Sequence, residues 1–411
     1  MALKVSGAQR RGRLVERHLL GAPVATVEEV VSGIVALHAT DPVTVYLSAW
    51  ARSRCAVTDL DAALYESRAV VRMLGMRRTV FVVPAALAGV VQAACTDDVA
   101  ARIRRSLVKD LAGGGIGDGD AAGWLGSVED AVLRALAARG GGASGAQLSA
   151  DEPLLRTQLT YAPGKSYGGP ANITSRVLIL IAAEGRMIRG HRRGGWSSGQ
   201  FEWFLPEAWL HHGENAADPE TSIGTGLNAG LSANLEAGAA RVELARQWLG
   251  AFGPASVKDL QWWAGWTGAQ TKAALGALPV VEVDLDGQTG VALADDPSFA
   301  APAEAPPVPT LLPALDPTPM GWQARDWYLG PHATTLFDRT GNIGPTVWWE
   351  GRVVGGWAQR PSGEVVYRLL EDIGADGEAA VTAEAAALEA WLGPARVTPR
   401  FRTPLERELS A

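Results

Sequence analysis

Three helix starts of one kind recur along the chain, and this repetition constrains the fold more than any other feature. At Thr26, Ser144 and Ser256, a hydroxyl residue is followed three residues later by an acid or an amide. This pattern is a capping box, in which the two side chains satisfy free backbone N–H groups of the first helical turn. When Ser144 is aligned with Ser256, Leu136 falls opposite Trp248. A small helix-turn-helix unit is therefore repeated three times, and such repeats indicate an array of similar modules.

Each pair of helices is followed by a segment that can form a β-hairpin. In the first unit, apolar residues alternate over 69–83, and in the second an arginine-rich stretch turns at Gly194–Gly195. The third unit contains Asp286–Gly287, a strong signal for a type I′ hairpin turn. Helices followed by a hairpin predict a winged helix, a variant of the helix-turn-helix module that binds nucleic acid.

Shifts in composition divide the chain into four segments. Glycine- and aspartate-rich, polar, and proline-rich stretches predict the linkers between them. The predicted fold is α+β, with tandem winged-helix modules followed by a C-terminal β-barrel-like domain closed by a helix. The predicted boundaries are winged helices at 1–111, 128–212 and 237–294, linkers at 112–127, 213–236 and 295–309, and a β-rich domain at 310–411.

Composition predicts a globular, soluble protein. The chain has 411 residues, 47% of them hydrophobic, but no apolar run approaches the ~20 residues of a membrane helix. The first twenty residues lack the apolar stretch of a signal peptide. The two cysteines, Cys55 and Cys95, have no metal-binding spacing and are expected to be reduced thiols. We therefore expect a cytoplasmic, nucleoid-associated monomer without a metal, a cofactor or a membrane partner.

The distribution of charge matters more than its sum. A net charge of −7 weakly opposes binding to nucleic acid, but the stretch 186–193 carries four arginines and a histidine without any acid. Such a cluster is often only a solvated hairpin, whereas its place on a predicted wing favours contacts with phosphates. The residues predicted to contact DNA are Arg77, Arg78, Arg186, Arg189, His191, Arg192 and Arg193.

Four short elements, in a fixed order, resemble a known family. They are Leu37–Pro42, Met76–Thr79, Leu315–Pro317 and Leu336–Asp338. Together with the three repeated units, they resemble the AlkZ/YcaQ-like DNA glycosylase superfamily over nearly the whole chain. The resemblance implies an array shaped around double-stranded DNA. Its activity would be excision of bulky alkylated purines or unhooking of interstrand crosslinks.

The chain departs from the family at the residues that matter most for catalysis. Characterised members carry Gln-apolar-Gln or Gln-apolar-Asp in the first element, where the polar pair holds a water and stabilises positive charge on the sugar. The corresponding positions here are His38 and Thr40. A neutral His38 is a candidate general base or water-positioning residue, with Thr40 as its partner. Asp41 is a third candidate, although on a helix its side chain would point about 100° away from Thr40.

Each of these features also has a purely structural interpretation. His38 and Thr40 are typical of a helix end before Asp41–Pro42, and Asp316 before Pro317 is typical of a turn. The helical spacing of three tryptophans between 262 and 266 favours core packing over base stacking. The sequence therefore predicts a DNA repair glycosylase. The alternatives are a non-catalytic winged-helix DNA-binding protein or regulator, and an array that binds a small-molecule genotoxin or a protein.

Overall fold

The computed structural model describes residues 3–161, 168–211, 235–296 and 305–411. Within these ranges the strands form five small sheets rather than one large sheet, and helices separate them. The protein is therefore of the α+β class, as predicted. None of the described helices is both long enough and apolar enough to cross a membrane.

The first unit combines short helices with a three-stranded antiparallel sheet. Thr26 caps its second helix, and the capping box with Glu29 is formed as predicted. The predicted hairpin is also present, since β3 pairs with β4 over Val70–Pro84 and β2 adds to the other edge of β4. After the N-terminal strand β1 (Leu3–Lys4), its elements are α1 (Gly7–Arg17), α2 (Val27–Gly33), β2 (Leu37–His38), α3 (Pro42–Ser53), α4 (Val57–Asp61), β3 (Val70–Leu74) and β4 (Val80–Pro84).

The second unit has its own apolar core, which runs from Val99 to Trp203. Ser144 caps one of its helices in a complete capping box with Gln147, as predicted. A two-stranded sheet, β5–β6, was not predicted. Its elements are α5 (Ala88–Val91), α6 (Asp97–Gly113), α7 (Ala121–Ala138), α8 (Gly145–Asp151), β5 (Gln158–Tyr161), β6 (Gly169–Asn172), α9 (Thr174–Ala183), β7 (Ile188–Arg192), β8 (Phe201–Phe204) and α10 (Pro206–His211).

The predicted linker at 112–127 is wrong for most of its length. Helix α6 ends at Gly113 and helix α7 begins at Ala121, so only 114–120 connect them. Asp120 starts α7 by accepting a hydrogen bond from the backbone N–H of Gly123 at 2.8 Å. The buried side chain of Leu125 then anchors the first turns of this helix in the core. Because α6 packs in the core of the second unit, the predicted boundary at 111 is also too late.

The third unit repeats the same order of elements. Ser256 caps its second helix in a buried capping box with Asp259. Asp286 and Gly287 both have positive φ, as the predicted type I′ turn requires. The N-terminal strand β1 pairs in parallel with β9, so the start of the chain belongs to this sheet rather than to the first unit. The elements are α11 (Ala237–Phe252), α12 (Val257–Ala264), α13 (Gly268–Gly276), β9 (Val280–Leu285) and β10 (Gln288–Leu293).

The C-terminal segment contains an open sheet, and the expected barrel is wrong. The strand order β11-β12-β13-β14 leaves β11 and β14 at opposite edges of this sheet. A barrel closes only when its edge strands pair, whereas here the long C-terminal helix α16 contacts both edge strands and covers them. The elements are β11 (Thr310–Leu312), α14 (Asp326–Leu329), α15 (Ala333–Leu336), β12 (Thr346–Trp349), β13 (Arg352–Gln359), β14 (Val365–Leu369), α16 (Gly374–Leu392) and α17 (Pro404–Leu409).

One large apolar core joins the first, third and C-terminal segments. It extends from Leu14 through Trp248 to Leu409, and the β7–β8 hairpin adds Ile188 and Phe204. A smaller core within the first unit contains Leu37 and lies behind β2. The first, third and C-terminal segments are therefore packed as one body. The predicted linkers at 213–236 and 295–309 fall mostly outside the described residues, which exclude 212–234 and 297–304.

Candidate active site and nucleic-acid interface

The element that contains His38 is a strand, not a helix end. Leu37 and His38 form β2, and the N–H of Ala39 continues the pairing by donating to the carbonyl of Val80 at 2.8 Å. Successive side chains of an extended chain point to opposite faces. Leu37 and Ala39 pack in the core of the first unit. The alternation therefore places His38 on the face that points away from this core, whereas Thr40 lies beyond the end of β2, in a bend.

His38 lies at the junction between the first unit and the shared core. Its side chain is 7% exposed. Its ring packs edge-on against Phe81, directly opposite on β4, with ring centres 5.4 Å apart. Burial, together with the nearby Arg77 cation, lowers the pKa of His38 to about 3, whereas Asp316 opposes the shift. His38 is therefore neutral near pH 7, and its buried Nδ1 has no hydrogen-bond partner within the described ranges.

Thr40 and Asp41 differ in how far their side chains are already engaged. Thr40 is half-buried, and its carbonyl oxygen accepts a hydrogen bond from the guanidinium of Arg400 at 3.5 Å. The Asp41 carboxylate caps α3 through the N–H of Val43 at 3.3 Å and also accepts from the N–H of Arg400 at 2.9 Å. These bonds give Asp41 a structural role at the start of α3. We therefore assign Asp41 no catalytic role.

A fully buried ion pair fixes the helix that follows this element. Two guanidinium nitrogens of Arg52 on α3 donate to the Asp316 carboxylate at 2.8 and 2.9 Å, and Ser48 donates to it at 2.6 Å. Burial by itself raises the pKa of Asp316, but these donors outweigh it and hold the pKa below its ordinary value. Asp316 is a turn residue as predicted, since it also accepts from the N–H of Thr318 at 2.9 Å. Its charge is already balanced by Arg52.

The β3–β4 hairpin turns at the two arginines predicted to contact DNA. Arg77 and Arg78 both have left-handed backbone conformations, with φ of 52° and 61°. The guanidinium of Arg77 stacks on the ring of Trp262 in the third unit at 3.9 Å. Burial lowers the pKa of Arg77 to about 10, and the nearby Arg325 adds to this shift. Arg78 is exposed, so it is the more accessible of the two for a phosphate.

The tryptophans of the third unit are divided between the core and this contact. Trp263 and Trp266 are buried, at 3% and 6% exposure, as their helical spacing predicted. Trp262 is only partly buried, and Arg325 lies over its ring at 5.0 Å.

Most arginines of the second-unit hairpin already have acidic or polar partners. Arg186 donates to Glu129 at 2.9 Å and to Asp130 at 3.0 Å on α7. Arg192 donates to Tyr46 at 2.8 Å and forms an ion pair with Asp61 at the end of α4. The sequence stretch is free of acids, but the fold brings these acids to it. Both arginines therefore hold elements of the protein together.

The remaining residues of this hairpin are in different environments. Arg193 is exposed, with Gln147 at 3.1 Å and Glu202 at 3.9 Å as partners. The Arg189 guanidinium lies over the ring of Phe201 at 4.9 Å, and burial together with Arg72 lowers the pKa of Arg189 to about 10. His191 packs against aromatic rings, including Trp209 at 5.0 Å. Their contacts with DNA remain predictions.

A basic helix face near Arg78 was missed at the sequence level. Helix α6 exposes Arg102, Arg105 and Lys109, which lie on one side of the helix. No ion pair to these three side chains is present within the described part of the chain. The signal was visible as RIRRSLVK at 102–109.

The fold resembles that of a solved DNA glycosylase. The structure of Streptomyces sahachiroi DNA glycosylase AlkZ matches with a TM-score of 0.69, covering 94% of this chain and 98% of that chain at 18% sequence identity. At this identity the similarity concerns the fold. No sequence among the curated proteins matches the chain significantly.

The family follows from the sequence itself. A family model described as DNA glycosylase AlkZ-like matches residues 31–391. The chain therefore belongs to the AlkZ-like DNA glycosylase family, which confirms the predicted resemblance. The matched range contains the His38 element, both arginine hairpins and the buried Arg52–Asp316 pair.

Proposed function

We propose that this protein is a DNA repair glycosylase that hydrolyses the N-glycosidic bond of alkylated purines in double-stranded DNA. The observation that carries the proposal is the buried His38 on β2, on the face that points away from the core of the first unit, with Thr40 two residues further along the chain. These are the positions at which the resemblance places the catalytic pair. The repeated units of helices and a hairpin would then act as winged helices on the duplex.

The low pKa of His38 favours water positioning over general base catalysis. A group that is protonated only near pH 3 stays neutral at pH 7, but it is a weak base there. A neutral imidazole nevertheless offers one donor and one acceptor nitrogen. We therefore assign His38 the role of holding the attacking water, with the hydroxyl of Thr40 as its partner. Orienting a reactant in this way is a recognised source of rate enhancement.

The charges around His38 favour a substrate that is already cationic. Hydrolysis passes through an oxocarbenium-like state, which nearby negative charge would stabilise. The two closest candidate carboxylates are engaged, Asp41 in capping α3 and Asp316 in its ion pair with Arg52. A purine alkylated at N7 or N3 is itself a cationic leaving group, so its departure requires less help from the enzyme. This argument extends to the alkylated purine at one end of an interstrand crosslink.

The test is whether the protein releases a base, because a DNA-binding protein without catalysis would bind equally well. Duplex DNA with a single N7-methylguanine is incubated with excess protein and then treated with mild alkali, which cleaves at abasic sites. We expect cleavage at the lesion, above the rate for duplex alone. Binding without cleavage would favour the non-catalytic alternative, which the replacement of the family's glutamine by His38 already suggests.

A further inference from the structure

A basic pocket lies where the first and second units meet. It is a cavity of about 210 Å³ between the turn of the β3–β4 hairpin, α6 and α9. Its polar lining consists of Arg78, Arg102, Ser106 and Arg176, and isoleucines at 103 and 179 contribute apolar wall. We refer to it as the Arg78 pocket.

Among the described residues, an acid balances only one of the three arginines that line the Arg78 pocket. Arg176 forms an ion pair with Asp110, but no acid pairs with Arg78 or Arg102 among the described residues. The acids at the start of α6 face other partners, since Asp98, for example, binds Arg241 at 3.0 Å. Guanidinium groups that converge without acids repel one another, and an anion between them removes this repulsion.

The hairpin turn directs Arg78 toward this pocket. Consecutive left-handed residues other than glycine are uncommon, because each is energetically unfavourable for a residue with a Cβ. In this turn the Arg77 side chain is held on Trp262 of the third unit, whereas Arg78 lines the pocket against the second unit. The two neighbouring arginines therefore face different parts of the protein. A turn of this kind brings the Arg78 cation to the helix face that carries Arg102 and Ser106.

We propose that the Arg78 pocket binds one phosphate group of the DNA backbone. Guanidinium forks match the geometry of phosphate oxygens, and a serine hydroxyl supplies a further donor. The proposal rests on the proposed function, because it takes the ligand to be the duplex on which the enzyme acts. It anchors the DNA at the junction of the first two units, and not at the acid-paired arginines of the second-unit hairpin.

The experiment measures the salt dependence of binding to an undamaged, fluorescently labelled duplex. The variants are Arg102→Gln and the double variant Arg78→Gln/Arg102→Gln. The matched control is Arg134→Gln, because Arg134 is an exposed arginine on α7 outside the pocket. We expect the double variant to bind more weakly and to reduce the slope of log K against log[salt] by about 0.9, the loss of one phosphate contact. The control should match the wild type.

Two further measurements make the result decisive. Arg102→Lys keeps the charge but loses the planar fork, so we expect it to bind more weakly than the wild type and more tightly than Arg102→Gln. Thermal unfolding, with inorganic phosphate replacing chloride at constant ionic strength, tests a free phosphate ion as the ligand. Slopes equal to that of Arg134→Gln would overturn the proposal. The proposal would also be overturned if inorganic phosphate stabilised the protein only when Arg78 and Arg102 are present, while DNA binding was unaffected by replacing these two arginines.

Failure of this proposal is distinguishable from failure of the proposed function. The pocket is tested by binding to undamaged DNA, whereas the function is tested by release of a damaged base. If the protein releases no base but the salt slope changes as expected, the pocket proposal stands and the enzyme proposal fails. If the protein releases the base but the slopes are unchanged, the enzyme proposal stands and the pocket proposal fails.

Discussion

The guanidinium of Arg77 lies 3.9 Å from the centre of the Trp262 ring, and this contact joins the hairpin of the first unit to the third unit. It also holds a positive charge close to His38. Packing around it is tight, because a Cβ at Gly265 would lie 3.1 Å from Cγ of Arg77. The arginine therefore links the architecture of the protein to the electrostatics of its candidate active site.

Removing this arginine should change both stability and the ionisation of His38. Arg77→Ala should lower the free energy of unfolding by about 0.5–2 kcal/mol, the range for cation–π contacts from exposed to desolvated sites. It should also raise the pKa of His38, because a nearby cation is lost. Urea denaturation and NMR titration of the histidine measure these two effects. Arg134→Ala, which replaces an exposed arginine on α7, is the control, and equal effects in both variants would refute the assigned role of Arg77.

The buried pair of Arg52 and Asp316 gives a prediction of larger magnitude. Asp316→Asn leaves the Arg52 cation in the core without its counter-charge, and breaking a buried pair in this way typically costs about 3–5 kcal/mol. The double variant Arg52→Met/Asp316→Leu removes both charges. It should be more stable than Asp316→Asn, as measured by chemical denaturation. If the stability lost on replacing each residue alone simply added up in the double variant, the two residues would not be coupled.

Two arginines of the second-unit hairpin should have different effects when they are replaced, one on stability and the other on DNA binding. Arg192→Ala removes an ion pair with Asp61 and should mainly reduce stability. Arg193→Ala replaces an exposed cation, and if Arg193 contacts a phosphate the salt slope of DNA binding should fall by about 0.9. Thermal unfolding and salt titration of the same two variants distinguish the effects. A change in slope for Arg192→Ala without loss of stability would contradict the assigned role of its ion pair.

Helix starts could be predicted from the sequence because capping is local. The side chains of Thr26, Ser144 and Ser256 bond to groups within three residues, so the sequence contains the whole interaction. The turn at Asp286–Gly287 could be predicted for the same reason. The three helix starts and this turn are present where they were predicted.

Long-range pairing could not be predicted in this way. Arg192 and its partner Asp61 are far apart in sequence, so the stretch around Arg192 appeared free of acids. The helical start at Asp120 was hidden by the surrounding glycines, and the pairing of β1 with β9 joins Leu3 to Val283, which are far apart in sequence. For the candidate site, the catalytic roles of His38 and Thr40 stay predictions. The sequence suggested a helix end at this element, whereas His38 lies on a strand and Thr40 in the bend that follows it.

The pKa of His38 leads to a prediction about pH. Its folded-state pKa of about 3 lies below the ordinary value of 6.5, so between these values the unfolded chain binds the proton more readily. The stability associated with neutral His38 is fully present above pH 6.5 and is lost as the pH falls toward 3. We expect the NMR signal of the ring to stay in its neutral form from pH 8 down to pH 5. Protonation near pH 6.5 in the folded protein would contradict this account.

The most direct test of the central claim is single-turnover release of N7-methylguanine from a duplex by the wild type, His38→Ala and His38→Gln. If His38 positions the attacking water, His38→Ala should lose roughly 10²-fold or more in rate. His38→Gln should retain more activity, because its amide can still hold the water, and Thr40→Ala should lose less than His38→Ala. Affinity for the duplex should be unchanged in all three variants. Base release by His38→Ala at the wild-type rate would contradict the account and place the active site elsewhere.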